Sequence, residues 1–275
     1  MAVSNELNTL KANISNAYNA IQAKGGTIPT NKNTQNLSEA INTIQGGGGG
    51  TDYFVDSIVV GRYKATELIK TIPPITVDSN LTEISAMFSG CKSLETVPLF
   101  DTSHVTHMQD MFNRCRLLKT VPLFDTSRVT QINGMFSNCA ALITIPSFDT
   151  SSATNMAYMF NNCTSLAALP LLNTSKVLSL TSMLYSCNKL ENIGGFQNLG
   201  NAYLTTRPAN YGSYELNLSS SKKLTHDSLM NVINNLYDIA TKGCKAQKLI
   251  LGTDNKAKLT AEEIAIATNK GWTVS

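Results

Sequence analysis

Charge is scarce in this chain. Charged residues make up 15% of its 275 positions, and the 22 basic and 19 acidic side chains, net +3, form no run of like sign. Such a balance gives no electrostatic reason to expect nucleic acid or an anionic membrane as a partner. Long apolar runs are missing too: nothing approaches the roughly 18 uninterrupted apolar residues of a membrane span. The opening MAVSNELNTLKANISNAYNA lacks the apolar core of a secretory signal, so export by that route is not expected. Histidine is limited to three residues, His104, His107 and His226; the first two stand three apart, do not recur, and are expected at the surface. There is no Gly-rich phosphate loop, no HExxH, no GxSxG and no nucleophile beside a base, so the expectation is a chain that is not an enzyme, with no cofactor and no metal.

What the chain has is self-similarity. With 42% hydrophobic residues it can build a core. Cys91, Cys115, Cys139, Cys163 and Cys187 each follow the last by 24 residues. Met-Phe holds the same phase at Met87, Met111, Met135 and Met159, and Met183-Leu184 closes the series. A leucine keeps it at Leu94, Leu118, Leu142, Leu166 and Leu190, and a proline at Pro98, Pro122, Pro146 and Pro170. Asp-Thr-Ser begins at Asp101, Asp125 and Asp149, and becomes Asn-Thr-Ser at Asn173.

Within one repeat, Leu118, Val121 and Leu123 have the spacing L-x-x-L-x-L, which predicts a short strand with these three side chains inward. Val105, Met108, Met111, Phe112 and Cys115 then follow at steps of three and four, the period of a helix face, with Thr102 or Ser103 as its N-cap. The predicted fold is α/β: a leucine-rich-repeat solenoid of strand-plus-short-helix coils. No coil buries its own apolar side, so stability must come from stacking, with the Cys and Met columns as inward ladders.

Three columns invite chemistry. A disulfide needs facing Cβ atoms and zinc needs converging ligands, whereas equivalent positions in successive coils point the same way, so the cysteines read as buried apolar residues; Cys244 lies outside their column. The Asp-Thr-Ser column could hold calcium, but its change to Asn173 and ordinary turn chemistry favour a turn. Outward strand positions Thr96, Pro98, Thr120, Pro122, Thr144, Pro146 and Pro170 make an uncharged, weakly polar ribbon that could receive a protein or glycan, or be plain surface. A proline there removes a ladder donor, which predicts an irregular or partly paired sheet.

The ends differ from the middle. Residues 1–45 carry a helix with the narrow apolar stripe Leu7, Leu10, Ile14, Ala17 and Ile21, read as an anchor or oligomerisation segment. Five glycines, 46–50, form a flexible linker. Residues 51–83, with FVDSIVV, read as an N-terminal cap, 84–196 as five coils, and 197–275 as an α/β C-terminal cap. In that last segment Thr225 opens a helix with inner face Leu229, Val232, Ile233, Leu236 and Ala240, the strand KLILG follows, Thr260 and Glu263 make a capping box, and Trp272-Thr273-Val274 forms a terminal strand.

The recurring text MFxxCxxLxxVPxFDTSxVTxM, over about 84–196, resembles the leucine-rich repeats of BspA-like bacterial surface proteins, which implies adhesion at a cell surface. NAYNAIQAKGGTIPTNKNTQNLSEAINTI, near the start, resembles the amino-terminal segment of phage tail and fibre proteins. Together the resemblances imply a virion fibre or tail-associated protein: residues 1–45 bound to other virion proteins, multiple copies (a trimer by fibre habit), and the repeats held toward a host surface protein or glycan. The alternatives are a cell-surface adhesin of the BspA-like kind and a structural decoration without a host ligand.

Overall fold

The computed structural model describes residues 70–72, 77, 81–201, 214–242 and 247–275. The anchor, its stripe Leu7 to Ile21, the glycine linker, most of the N-terminal cap and Cys244 lie outside them.

The 24-residue repeat closes one coil per period. A column of parallel bridges joins Glu83 to His107, His107 to Gln131, Gln131 to Asn155 and Asn155 to Ser179. On either side of this column, backbone bonds alternate in direction between coils: the N–H of Thr106 reaches back to Thr82 (2.8 Å) and that of Met108 forward to Gln131 (2.9 Å). Side chains at equal phase stack as a result. The rings of Phe88, Phe112, Phe136 and Phe160 lie 5.5, 5.6 and 5.7 Å apart and nearly parallel, and Met111, Cys115, Leu118, Met135, Cys139 and Leu142 have no exposed surface.

The predicted helix on the returning side is absent. Val105, Met108, Met111, Phe112 and Cys115 are all buried, but they sit in linked turns. Met111, Asn113 and Cys115 donate to carbonyls three residues back, whereas the intervening N–H groups of Asp110, Phe112 and Arg114 donate to Asn133, Met135 and Ser137 of the next coil. A helix would keep all of these bonds within one coil. Positive φ at Asp110 (55°) and Arg114 (67°) breaks any helical run, and a left-handed residue with a Cβ costs about 1–2 kcal/mol. Stacked turns and a helix share the three-four inward spacing, so the period could not tell them apart.

The predicted N-cap has another role. Thr102 is buried and its hydroxyl donates across to the carbonyl of Asp125 (2.9 Å); Thr126, Thr150 and Thr174 repeat the bond to Asp149, Asn173 and Gln197. Asp101, Asp125, Asp149 and Asn173 instead turn the chain, each Oδ1 accepting the N–H two residues on, from Ser103, Ser127, Ser151 and Ser175. This is Asx-turn chemistry. The same bond recurs from Ser219 to Asn217, well past the last cysteine of the column.

The strand arm is mostly unpaired where proline stacks on proline. Two-residue strands form only late: β1 (Ala168–Leu169) and β2 (Leu172–Asn173) pair in parallel with β3 (Asn192–Ile193) and β4 (Phe196–Gln197). At this point the proline column gives way to Gly194, whose N–H donates to Leu169 (2.9 Å), a bond proline cannot make.

The C-terminal segment adds a parallel sheet of β5 (Glu215–Asn217), β6 (Gln247–Ile250) and β7 (Trp272–Val274), in that order. Helix α1 (His226–Asn234) is capped by Thr225, whose hydroxyl accepts from Ser228 N–H; a short α2 (Gly252–Lys256) follows β6. In α3 (Ala261–Asn269), Thr260 and Glu263 form a reciprocal capping box. The inner face of α1 is shorter than predicted. Leu236 is buried beyond the helix end, bridged to Leu199, while Ala240 is exposed and Ile239 packs inside in its place. Lys270 crosses from the end of α3 to donate to the carbonyls of Ile233 (3.2 Å) and Asn234 (2.7 Å), satisfying the open C-terminal end of α1.

Candidate binding face

The strand arm presents the ribbon singled out by the sequence, with one correction of phase. Leu123 was expected inward; it is 59% exposed, and Phe124 is buried instead. The cause is local. Phe124 N–H donates to the carbonyl of Pro122 two residues back (3.0 Å), and Phe148 does the same to Pro146 (2.9 Å), closing three-residue turns that add one step to the strand alternation. Inward spacing becomes L-x-x-V-x-x-F, and a leucine is pushed into solvent. Leu99 is likewise 65% exposed and Leu171 51% exposed.

Thr96, Thr120 and Thr144 are exposed, and Pro98, Pro122, Pro146 and Pro170 half-buried, beside these leucines. The ribbon is therefore a Thr-Pro-Leu surface, more apolar than threonine and proline alone suggest. A signal for the leucines was available: the aromatic column never turns polar through Phe100, Phe124 and Phe148, whereas the column of Leu99 and Leu123 passes through Ser147. Carboxylates flank it at Asp101, Asp125 and Asp149, all exposed. Hydrogen bonds from Ser103 hold the Asp101 carboxyl below its ordinary value of 3.8, and those from Ser127 do the same for Asp125. With Oδ1 of each occupied as a turn acceptor, these residues serve the backbone.

The cysteine column is buried and unpaired by disulfides. Each thiol from Cys115 to Cys187 donates to a carbonyl one coil back: Cys115 to Phe88 (3.1 Å), Cys139 to Phe112 (3.1 Å), Cys163 to Phe136 (3.0 Å) and Cys187 to Phe160 (3.1 Å). Burial pushes the Cys91 thiol up to about 11 and that of Cys187 to about 12, and raises those of Cys115, Cys139 and Cys163 above the ordinary 9.0 as well. These are protonated spacers rather than nucleophiles. Met87, Met111, Met135, Met159 and Met183 line the same interior.

His104 and His107, expected at the surface, are half-buried in the stack, with Nε2 of His104 enclosed and Nδ1 of His107 at 2.9 Å from the Thr106 hydroxyl. His226 is the outward one, bonded to Glu263 at 2.8 Å. Among the described residues no group of three or more His, Cys, Asp or Glu is placed to hold a metal, and no helix is long and apolar enough to cross a membrane.

Stacked coils with a buried Met-Phe-Cys interior and an uncharged outer ribbon define a repeat solenoid, a class whose activity lies in its exposed faces. Residues 78–198 match the model of a family described as "Mycoplasma protein of unknown function, DUF285"; the matched stretch covers the coils and under half of the chain. Two solved structures are similar. A leucine-rich repeat protein from Eubacterium ventriosum is 19% identical, with a TM-score of 0.39, covering 55% of this chain, which spans only 41% of that protein. The T. pallidum leucine-rich repeat protein is 16% identical, with a TM-score of 0.36, covering 63% of this chain and 86% of its own. Superpositions that loose add nothing to the coil geometry, on which the fold rests. No curated protein matches the chain.

Proposed function

We propose that the chain is a non-catalytic binding protein of a bacterial cell surface, and that its ribbon docks on the protein component of a facing surface. The exposed row Leu99, Leu123 and Leu171 carries this reading. A soluble coil gains nothing by holding leucines in water at one phase of its repeat, and apolar side chains in line with half-buried prolines suit a protein surface better than a charged polymer. The repeated MFxxC and FDTS text and the family match over 78–198 support a surface protein of the BspA-like kind. The virion reading draws on the resemblance of the first 45 residues to phage tail proteins, on the glycine linker after them and on the expectation of no secretory export; residues 1–50 lie outside the described ones, and the comparisons add nothing to it.

The test is binding of the labelled full chain to epithelial cells, before and after trypsin treatment of the cells. Expected is saturable binding that trypsin removes and that Leu99→Ser/Leu123→Ser/Leu171→Ser weakens at least tenfold. Binding that survives either treatment, or no binding at all, overturns the assignment.

A further inference from the structure

The edge where each coil turns back carries a second surface. Five stacked segments form it, 85–90, 109–114, 133–138, 157–162 and 181–186, and Asp110 and Arg114 are its only charged residues. Amides and hydroxyls take the rest of its polar positions, and a chain of side-chain bonds runs along it. Asn113 Nδ2 donates to Asp110 Oδ1 (3.1 Å), Asn138 Nδ2 to Asn113 Oδ1 (3.4 Å), and Asn162 Nδ2 to Asn138 Oδ1 (3.2 Å). Ser137 accepts a further bond from Asn138 (3.0 Å). Burial, partly offset by Asn113 and Arg114, raises the pKa of Asp110.

Two aromatic rings interrupt this amide surface. Tyr158 is 48% exposed and Tyr185 58% exposed, and they are the only exposed large apolar side chains on the edge. Tyr158 occupies a column with positive φ throughout: Ala86, Asp110, Gly134, Tyr158 and Ser182. Glycine meets that demand without strain, and Gly134 does so beneath the Asp110 carboxylate, which fills the space a Cβ would need. A tyrosine at φ 59° is an unfavourable choice for the turn and asks for a reason outside it. Backbone bonds from Tyr158 to Thr181 and from Asn162 to Tyr185, both 2.8 Å, tie the two tyrosine-bearing coils together at this edge.

Separate rings set among paired amides, with almost no charge, do not resemble a contiguous apolar protein interface. We propose that this edge binds a neutral oligosaccharide, with Tyr158 and Tyr185 packing on the apolar faces of its pyranose rings and Asp110, Asn138 and Asn162 exchanging hydrogen bonds with its hydroxyls. The amide chain holds its acceptors and donors in place before the sugar arrives, which lowers the ordering cost of weak polar contacts.

Calorimetric titration of the full chain with cellohexaose, xylohexaose, maltohexaose and chitohexaose, each separately, tests this. Expected is saturable binding of at least one, weakened about tenfold in Tyr158→Gly and in Tyr185→Ala, and unchanged in Leu123→Ser. Tyr158→Gly suits the local φ, so its melting temperature should not fall, and lost binding cannot then be blamed on unfolding. The proposal is overturned if none of the four sugars binds, if binding survives both tyrosine variants, or if Leu123→Ser abolishes it. Ribbon docking on protein stands or falls separately, on trypsin and the leucine variants.

Discussion

The Sγ of Cys139 donates a hydrogen bond of 3.1 Å to the carbonyl of Phe112, across the boundary between two coils. The thiol acts as a small buried donor, adding a second bond to a carbonyl that already accepts the Cys115 N–H within its own turn (3.0 Å), and the pattern repeats along the column. Burial raises its pKa well above the ordinary 9.0.

Protected thiols should therefore not react in the folded protein. With a maleimide at pH 8, native chain is expected to label at no more than one cysteine, Cys244, and denatured chain at six. Mass spectrometry counts the adducts; rapid native labelling at Cys115, Cys139 or Cys163 would mean the coils are not stacked as described.

The phase of the strand arm can be checked with two adjacent substitutions. Leu123→Ser removes an exposed side chain and should change stability by less than about 0.5 kcal/mol. Phe124→Ala empties a site between the ring of Phe112, stacked on it at 6.2 Å, and that of Phe100, tilted against it at 4.9 Å, and should cost about 3–5 kcal/mol. Denaturant melts of both variants decide it, and the reverse order would restore the L-x-x-L-x-L phase.

The pair His226–Glu263 ties α1 to α3 and should give the C-terminal segment a pH optimum. Bonds to Glu263, then Asp227, raise the His226 pKa above 6.5, so its contribution is full below 6.5 and is lost as pH rises through the folded value. The Thr260 N–H, then His226, lowers the pKa of Glu263 from 4.5, so that contribution is present above 4.5 and is lost as pH falls through the folded value. Thermal melts should peak between the two, and His226→Ala should flatten the alkaline side. Because both groups are exposed, the amplitude will be small and reduced by salt.

The sequence by itself determined the period, the inward identity of Met, Phe, Cys and Leu, and the capping box at Thr260, because a repeat that must stack on copies of itself keeps the same apolar side chain at the same phase. It also carried the cost of proline in the strand arm, where pairing appears once Gly194 restores a donor. Only the tertiary structure decided the conformation of the returning side. Val105, Met108, Met111, Phe112 and Cys115 are buried equally well by a helix or by linked turns, and the choice fell to alternate N–H groups finding carbonyls one coil away. The outward leucines depended on the same physics: a two-residue backbone bond from Phe124 to Pro122 turned Leu123 to solvent, and no composition or spacing within one coil encodes such a bond. Likewise, Tyr158 and Tyr185 are scattered in sequence and share one edge only because the coils stack.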